Sequence, residues 1–286
     1  MQLTKHHGLG NDFLIALGDH RSDAALAVRL CDRRRGVGAD GYIVGRPGTA
    51  GVDAVMDLRN SDGSVAQMSG NGIRCLAQAI ARARGAERAE LVIETAAGRR
   101  SVSVEPTDER DTCSATVDMG PVGPGPVLDI EAPEGLVDAL GAGGFRIRSA
   151  DVGNPHLVVL AAAPATIDLA RFGPLLEAQV EGGVNVEFIA PTPDQPDAID
   201  LVVWERGAGI TSACGTGATV GAAVAHAWGI VGRRVRVHLP GGDVDVELGE
   251  RTARLVGPAA FIATIDYDEA DPDPATACEP VGLVSR

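Results

Sequence analysis

Lysine is almost absent from this chain of 286 residues, and its scarcity excludes one large class of amino-acid chemistry. The single lysine, Lys5, lies near the N-terminus and outside any phosphate-binding motif. Enzymes that use pyridoxal phosphate need a lysine to form a Schiff base with that cofactor. The Gly36-x-Gly38 loop lacks the dinucleotide-binding arrangement of G-x-G-x-x-G after a strand, and the chain has no P-loop. We therefore expect any carbon-acid chemistry here to need no cofactor.

The chain also lacks a net positive charge, long apolar segments and closely paired cysteines. The net charge of −14 disfavours nucleic acid or an anionic membrane surface as a partner. No stretch of 18 apolar residues occurs and the N-terminus has no apolar signal region, so we expect a cytoplasmic protein with no membrane partner. The five cysteines are scattered without a C-x-x-C pair, and no histidine spacing indicates a metal site.

Two segments of the chain look like copies of one design. Asn60-Ser61-Asp62-Gly63 is followed nine residues later by Ser69-Gly70-Asn71-Gly72, and Glu205-Arg206-Gly207 is followed nine residues later by Cys214-Gly215-Thr216-Gly217. The separation is 145 residues in both comparisons (205 − 60 and 214 − 69). Each copy ends in a small nucleophilic side chain, a Gly-x-Gly step and a helix-like run.

Further matches occur in the same order and at nearly the same offset. Gly10-Asn11 resembles Gly153-Asn154, and the block that begins at Gly36 resembles the block that begins at Gly183. Any one match by itself is better explained as an ordinary turn, but together they predict a domain duplication. Such a duplication suggests two half-sites that face each other across a cleft. A reaction that needs groups on the two opposite faces of one carbon atom would use that geometry.

The predicted fold class is α+β, with two homologous domains that are each a curved, mostly antiparallel sheet wrapped around a central helix. Helical spacing follows Ser69, and the run after Cys214 is apolar on nearly all sides, so that helix must be enclosed by protein. We expect an N-terminal half over residues 1–125, completed by a C-terminal strand near 259–265. The second half is predicted over residues 145–258, and residues 266–286 are expected to form a mobile acidic tail.

The starts of the two central helices carry the chemistry. Helix N-termini have unpaired N–H groups and a partial positive charge, which lower the pKa of a cysteine and bind carboxylates. Cys214 and Ser69 are therefore candidate proton-transfer groups beside two anion-binding loops. The competing readings are a small buried hydrophobe for Cys214 and a simple N-cap for Ser69. His156 and Glu205 lie in the repeated blocks, and we expect both to reach the cleft.

At this point the residues resemble a known family. The segments His7-Gly8-Leu9-Gly10-Asn11-Asp12-Phe13, Gly70-Asn71-Gly72-Ile73-Arg74-Cys75, Gly153-Asn154-Pro155-His156, Glu205-Arg206-Gly207 and Ala213-Cys214-Gly215-Thr216-Gly217 are similar to those of diaminopimelate epimerases. The resemblance covers residues 3 to about 264. It implies cofactor-independent interconversion of LL- and meso-diaminopimelate, on the route to lysine and peptidoglycan, in a homodimeric enzyme.

The resemblance also implies roles for individual residues. It makes Cys214 one of two groups that remove and return the α-proton from opposite faces, and it assigns tuning of their pKa values to His156 and Glu205. The implied substrate contacts come from Asn11, Asn60, Gly70, Asn71, Asn154, Asn185, Glu205, Arg206, Gly215 and Thr216.

Ser69 departs from the family pattern, because the family usually has its other proton-transfer cysteine at this position. A serine hydroxyl is a weaker acid than a thiol by several pKa units, and each unit corresponds to about 1.4 kcal/mol. Three explanations stay open: an engineered replacement, a natural variant in which Ser69 relays a proton, and a related reaction on another amino acid with Cys214 as sole base. A substrate-binding protein without turnover is the alternative from a different functional class.

Overall fold

The structure is a computed structural model that describes residues 1–66, 68–141 and 144–268. Its α-helices are α1 (Ala24–Cys31), α2 (Gly70–Ala83), α3 (Leu136–Leu140), α4 (Leu169–Glu177) and α5 (Gly215–Ala227), with a 3-10 turn at Pro164–Thr166. The strands are β1 (Gln2–Gly8), β2 (Asn11–Leu17), β3 (Gly41–Pro47), β4 (Ala54–Asn60), β5 (Ala89–Thr95), β6 (Gly98–Pro106), β7 (Thr112–Gly120), β8 (Gly123–Pro124), β9 (Ile147–Asp151), β10 (Pro155–Leu160), β11 (Asn185–Pro191), β12 (Ala198–Glu205), β13 (Gly209–Thr211), β14 (Arg234–Leu239), β15 (Gly242–Leu248) and β16 (Ala253–Asp266).

Eight strands close around α2 in the first half of the molecule. They follow the order β1-β2-β3-β4-β5-β6-β7-β16, and β16 pairs with β1 to complete the ring. The β2–β3 and β4–β5 pairings are parallel and the others are antiparallel. Helix α2 contacts every strand of this ring, which explains why its residues are buried from Gly70 to Ala81.

The second half repeats this arrangement around α5. Its strands follow the order β9-β10-β11-β12-β14-β15-β16, and the β10–β11 and β12–β14 pairings are again parallel. The side chains of α5 are mostly alanine and valine and are buried around the helix, since strands of this sheet contact it from several sides. The predicted fold class, two like units that each wrap a sheet around a helix, is confirmed by the similar solved structures reported below.

The two halves exchange their last strands. After β7 the chain leaves the first sheet, and β8 pairs with β9 of the second half. In return, β16 pairs with β15 at residues 253–256 and then runs on to pair with β1, from His7 opposite Ala260 to Gln2 opposite Asp266. One 16-stranded sheet therefore runs through both halves. The acidic tail expected from residue 266 lies, from residue 269 onward, outside the described residues.

The core follows the same division. One large apolar cluster surrounds α2 and α5, while α1 and α4 each cover an outer face of a sheet with a smaller cluster of their own. Both central helices thus have fixed positions and point their N-termini to the middle of the molecule. Among the helices in the described part of the chain, none is long and apolar enough to cross a membrane.

Candidate active site

The N-termini of α2 and α5 meet at two glycines. A Cβ atom added to Gly70 would lie 2.9 Å from the Cα of Gly215, and one added to Gly215 would lie 2.8 Å from the Cα of Gly70. Only glycine allows two backbones to approach this closely. The unpaired N–H groups of both helix starts therefore converge on one small region.

Ser69 and Cys214 occupy the same local position in the two halves. Each is the N-cap of its helix with extended backbone, at φ −141° and ψ 117° for Ser69 and φ −129° and ψ 111° for Cys214. Ser69 Oγ accepts a hydrogen bond from the backbone N of Gly72 at 3.0 Å, and Cys214 Sγ accepts one from Gly217 at 3.4 Å. The duplicated motif thus forms a duplicated cap, with an oxygen in one copy and a sulfur in the other.

Both caps line one cavity of about 670 Å³ between the halves. The cavity is large enough for a small amino acid and its surface is mostly polar, with cationic and anionic side chains. All but one of the residues singled out from the sequence line it, and these are Asn11, Asn60, Ser69, Gly70, Asn71, Asn154, Asn185, Glu205, Arg206, Cys214, Gly215 and Thr216. His156 is the exception, because it is fully buried behind Asn154.

Asn71 connects the two halves at the floor of the cavity. Its Nδ2 donates to the carbonyl oxygen of Ala213 at 2.9 Å and to Oδ1 of Asn11 at 3.1 Å. Its Oδ1 accepts from Nη2 of Arg74 at 2.8 Å. Asn11 in turn donates Nδ2 to Oδ2 of Asp40 at 2.9 Å. The amide groups of Asn71 and Asn11 are therefore held in defined orientations.

Arg74 is an unusual neighbour, because its guanidinium is fully buried without an ion-pair partner in the described part of the chain. Burial lowers its pKa to about 10, so the group still carries its charge at neutral pH. This buried cation lies beside Asn71, which lines the cavity.

The surroundings of Cys214 carry negative charge. Burial raises the pKa of Glu205, whose carboxylate accepts hydrogen bonds from Thr211 and from Cys214. Burial and the nearby carboxylates of Glu205 and Glu187 raise the pKa of Cys214 well above its ordinary value. This outcome is the opposite of the sequence-based expectation of a lowered pKa. The N–H of Gly217 does lower it, but the desolvation of the thiolate and the two carboxylates have the larger effect.

Sequence reasoning missed Glu187 as a site residue. This carboxylate is fully buried in β11, and its Oε1 lies 2.6 Å from Nδ1 of His156. Nε2 of His156 lies 3.1 Å from Oδ1 of Asn154, which lines the cavity. The available signal was an acidic residue inside the apolar run from Val186 to Ile189, where charge is expected only if it has a buried partner.

The remaining described cysteines are separate from this chemistry. Burial raises the pKa of Cys31 and of Cys75 to about 12 and that of Cys113 to about 11, so all three are neutral thiols. None of them lines the cavity. Over residues 1–66, 68–141 and 144–268, no three His, Cys, Asp or Glu side chains are grouped so as to hold a metal ion.

Known proteins resemble this chain along most of its length. The sequence model of the diaminopimelate epimerase family matches residues 3–123 and 148–262. Three curated diaminopimelate epimerases are similar. That of Synechococcus elongatus is 39% identical over 263 residues, covering 87% of this chain and 91% of the relative. That of Desulfitobacterium hafniense is 38% identical over 282 residues (92% and 96%), and that of Desulforudis audaxviator is 41% identical over 259 residues (86% and 91%).

Solved structures share the fold at low identity. A hydroxyproline epimerase from Agrobacterium vitis has a TM-score of 0.70 at 19% identity and covers 95% of this chain and 93% of its own. A predicted epimerase from Pseudomonas aeruginosa has a TM-score of 0.73 at 15% identity, with 93% and 98% covered. With the family match over both halves and three relatives near 40% identity, this chain belongs to the diaminopimelate epimerase family and is an isomerase.

Proposed function

We propose that this protein interconverts LL- and meso-diaminopimelate by moving the α-proton from one face of the carbon to the other. One arrangement carries the proposal: two helix N-termini meet at Gly70 and Gly215, and their caps line the same cavity. An α-amino acid carboxylate bound by the N–H groups of both helix starts would place its α-carbon between Ser69 and Cys214. The relatives from Synechococcus elongatus and Desulfitobacterium hafniense are named diaminopimelate epimerases.

On one face we assign proton transfer to Cys214, with Glu205 as its partner. The raised pKa values of both groups mean that the thiol keeps its proton until the carboxylate accepts it. When Cys214 acts as the base, its proton moves to Glu205 and the thiolate then removes the α-proton. When it acts as the acid, the thiol protonates the carbanion and Glu205 restores the thiol.

On the other face we assign proton transfer to Ser69, with the hydroxyl as a relay to water. Its oxygen caps α2, and the helix N-terminus stabilises negative charge that develops there. The remaining polar lining binds the substrate. We assign its carboxylate and ammonium groups to the amides of Asn11, Asn60, Asn71, Asn154 and Asn185, the backbone of Gly70, Gly215 and Thr216, the carboxylate of Glu205 and the guanidinium of Arg206.

The test is exchange of the α-proton in deuterated water, measured separately for the LL and meso isomers. Incorporation of deuterium from both isomers, with inversion, supports the epimerase. Exchange from one isomer only, without inversion, would support a one-base enzyme in which Ser69 transfers no proton. Binding without exchange would support a substrate-binding protein that has lost turnover.

Because Ser69 stands where the family usually has a cysteine, the test includes the one-base enzyme and the binding protein without turnover. Action on another amino acid is a further alternative. The same assay run with a panel of α-amino acids separates them, because a shifted specificity predicts faster exchange with a substrate other than diaminopimelate. We also propose, from membership of the family, that the enzyme serves lysine and peptidoglycan synthesis in the cytoplasm and that it is a homodimer.

A further inference from the structure

We propose that Glu187 is a positioning residue of this site, and that it acts through His156 to hold the amide of Asn154 in the orientation the substrate requires. The inference rests on the function proposed above. It starts from the burial of two polar side chains, since Glu187 and His156 both have no exposed surface. A carboxylate and an imidazole are retained in an apolar interior only when they satisfy each other by hydrogen bonding.

The hydrogen bonds of this group fix the tautomer of His156. Asn154 donates Nδ2 toward Oγ1 of Thr216 at 3.5 Å, so its Oδ1 is the atom that faces Nε2 of His156. A carbonyl oxygen only accepts, and Nε2 must therefore carry a proton. Nδ1 then shares one further proton with Glu187, whose Oε1 is 2.6 Å away.

This chain of contacts ends at the proton-transfer group. Thr216 Oγ1 lies 3.4 Å from Sγ of Cys214, and both residues line the cavity together with Asn154. If His156 lost its proton on Nε2, the Asn154 amide would have to turn over. Its N–H groups would then leave the cavity side, and Thr216 would lose the donor that faces it.

The first half shows that this device is specific to the Cys214 half-site. Glu187 pairs with Val158 and Val203 across the sheet, and the corresponding residue of the first half, Ile43, pairs with Ile15 and Leu58. A Cβ added to Gly217 would meet Oε1 of Glu187 at 2.7 Å, and one added to Gly72 would meet Cδ1 of Ile43 at 3.2 Å. The first half therefore folds with an apolar side chain at this position, so the fold alone does not require a carboxylate there.

The experiment compares Glu187→Met with Glu187→Gln in the full chain. A methionine fills the space but leaves Nδ1 of His156 without a partner, whereas a glutamine amide can donate to Nδ1 and keep the proton on Nε2. We expect Glu187→Met to lower kcat/KM by about 10- to 100-fold with a raised KM, as small misplacements of a bound substrate do. Glu187→Gln should stay within about fivefold of the unsubstituted enzyme, and the ¹⁵N signal of His156 Nδ1 should be that of a nitrogen without a hydrogen bond only in Glu187→Met.

The matched control is Gln78→Met, which removes the partner of another fully buried histidine, His6, away from the cavity. It should lower the melting temperature and leave kcat/KM unchanged. The inference is overturned if Glu187→Met keeps full activity, if both Glu187 variants lose activity equally, or if the activity loss comes without a change in the His156 signals. An unsubstituted enzyme without α-proton exchange would instead overturn the proposed function.

Discussion

The two half-sites share one backbone design and differ in the charges placed behind it. Ser69 and Cys214 cap equivalent helices with equivalent hydrogen bonds. Behind Cys214 lie the carboxylates of Glu205 and Glu187, whereas the residue of the first half that corresponds to Glu187 is the apolar Ile43. Negative charge keeps a proton on a group, while positive charge favours its release. The two half-sites thus have the same backbone geometry and different electrostatic surroundings.

The largest expected effect comes from removing the thiol. Cys214→Ala should lower the rate of α-proton exchange by at least about 10³-fold, because an alanine cannot transfer a proton on that face. The measurement is deuterium incorporation into each isomer. Cys75→Ala is the control, since Cys75 is a buried thiol of α2 outside the cavity. Retention of exchange by Cys214→Ala would remove Cys214 from its assigned role.

The second effect tests whether the two caps must be close. Gly215→Ala places a methyl group 2.8 Å from the Cα of Gly70, so the helix ends must separate. We expect kcat/KM to fall about 100-fold and the free energy of unfolding to fall by about 1–3 kcal/mol. Gly123→Ala is the matched control, because a Cβ there meets nothing within 4 Å. Full activity in Gly215→Ala would show that the approach of the helices is not needed.

A third variant makes the two half-sites alike. Ser69→Cys restores a more acidic group to the α2 cap, and we expect turnover to rise by about 10-fold or more, since each pKa unit changes ionisation tenfold. Ser212→Cys is the control, because Ser212 lines the same cavity without capping a helix. An unchanged rate in Ser69→Cys would contradict the assignment of Ser69 as a weakened proton-transfer group.

The smallest effect is a shift along the pH axis, separate from the loss of rate expected when residue 205 can no longer accept the proton of Cys214. Glu205 raises the pKa of Cys214, so Glu205→Gln removes a negative charge and should lower that pKa. The alkaline limb of the kcat/KM profile, which reports the free enzyme, should move to lower pH. The exposed Glu250 provides the control Glu250→Gln. A limb that stays in place, or moves to higher pH, would show that the two groups are not coupled.

Much of the site could be predicted because its signal is local. The caps and the Gly-x-Gly steps stand in short repeated segments, so Ser69 and Cys214 could be assigned to one cleft from the repeat, and the family resemblance added Asn154 and the other asparagines. The same local reasoning predicted the wrong direction for the pKa shift of Cys214. A helix N-terminus is visible in the sequence, but the burial and the carboxylates that outweigh it come from strands that only the fold brings together.

Two other features could not be predicted for the same reason. Glu187 stands in a strand that is buried on both faces. A single acidic residue there does not identify its partner, and His156 is 31 residues away in the sequence. The sequence indicated a returning strand near residues 259–265. It gave no sign that the two-residue strand β8 makes the reciprocal crossing, because so short an element has no periodicity.

That reciprocal crossing makes each half of the molecule depend on a strand from the other. A polypeptide cut near residue 125 would leave the first ring without β16 and the second sheet without β8. Each fragment would expose unpaired strand edges that invite aggregation. Each half therefore completes the sheet of the other, and the cavity between them needs both halves to be present.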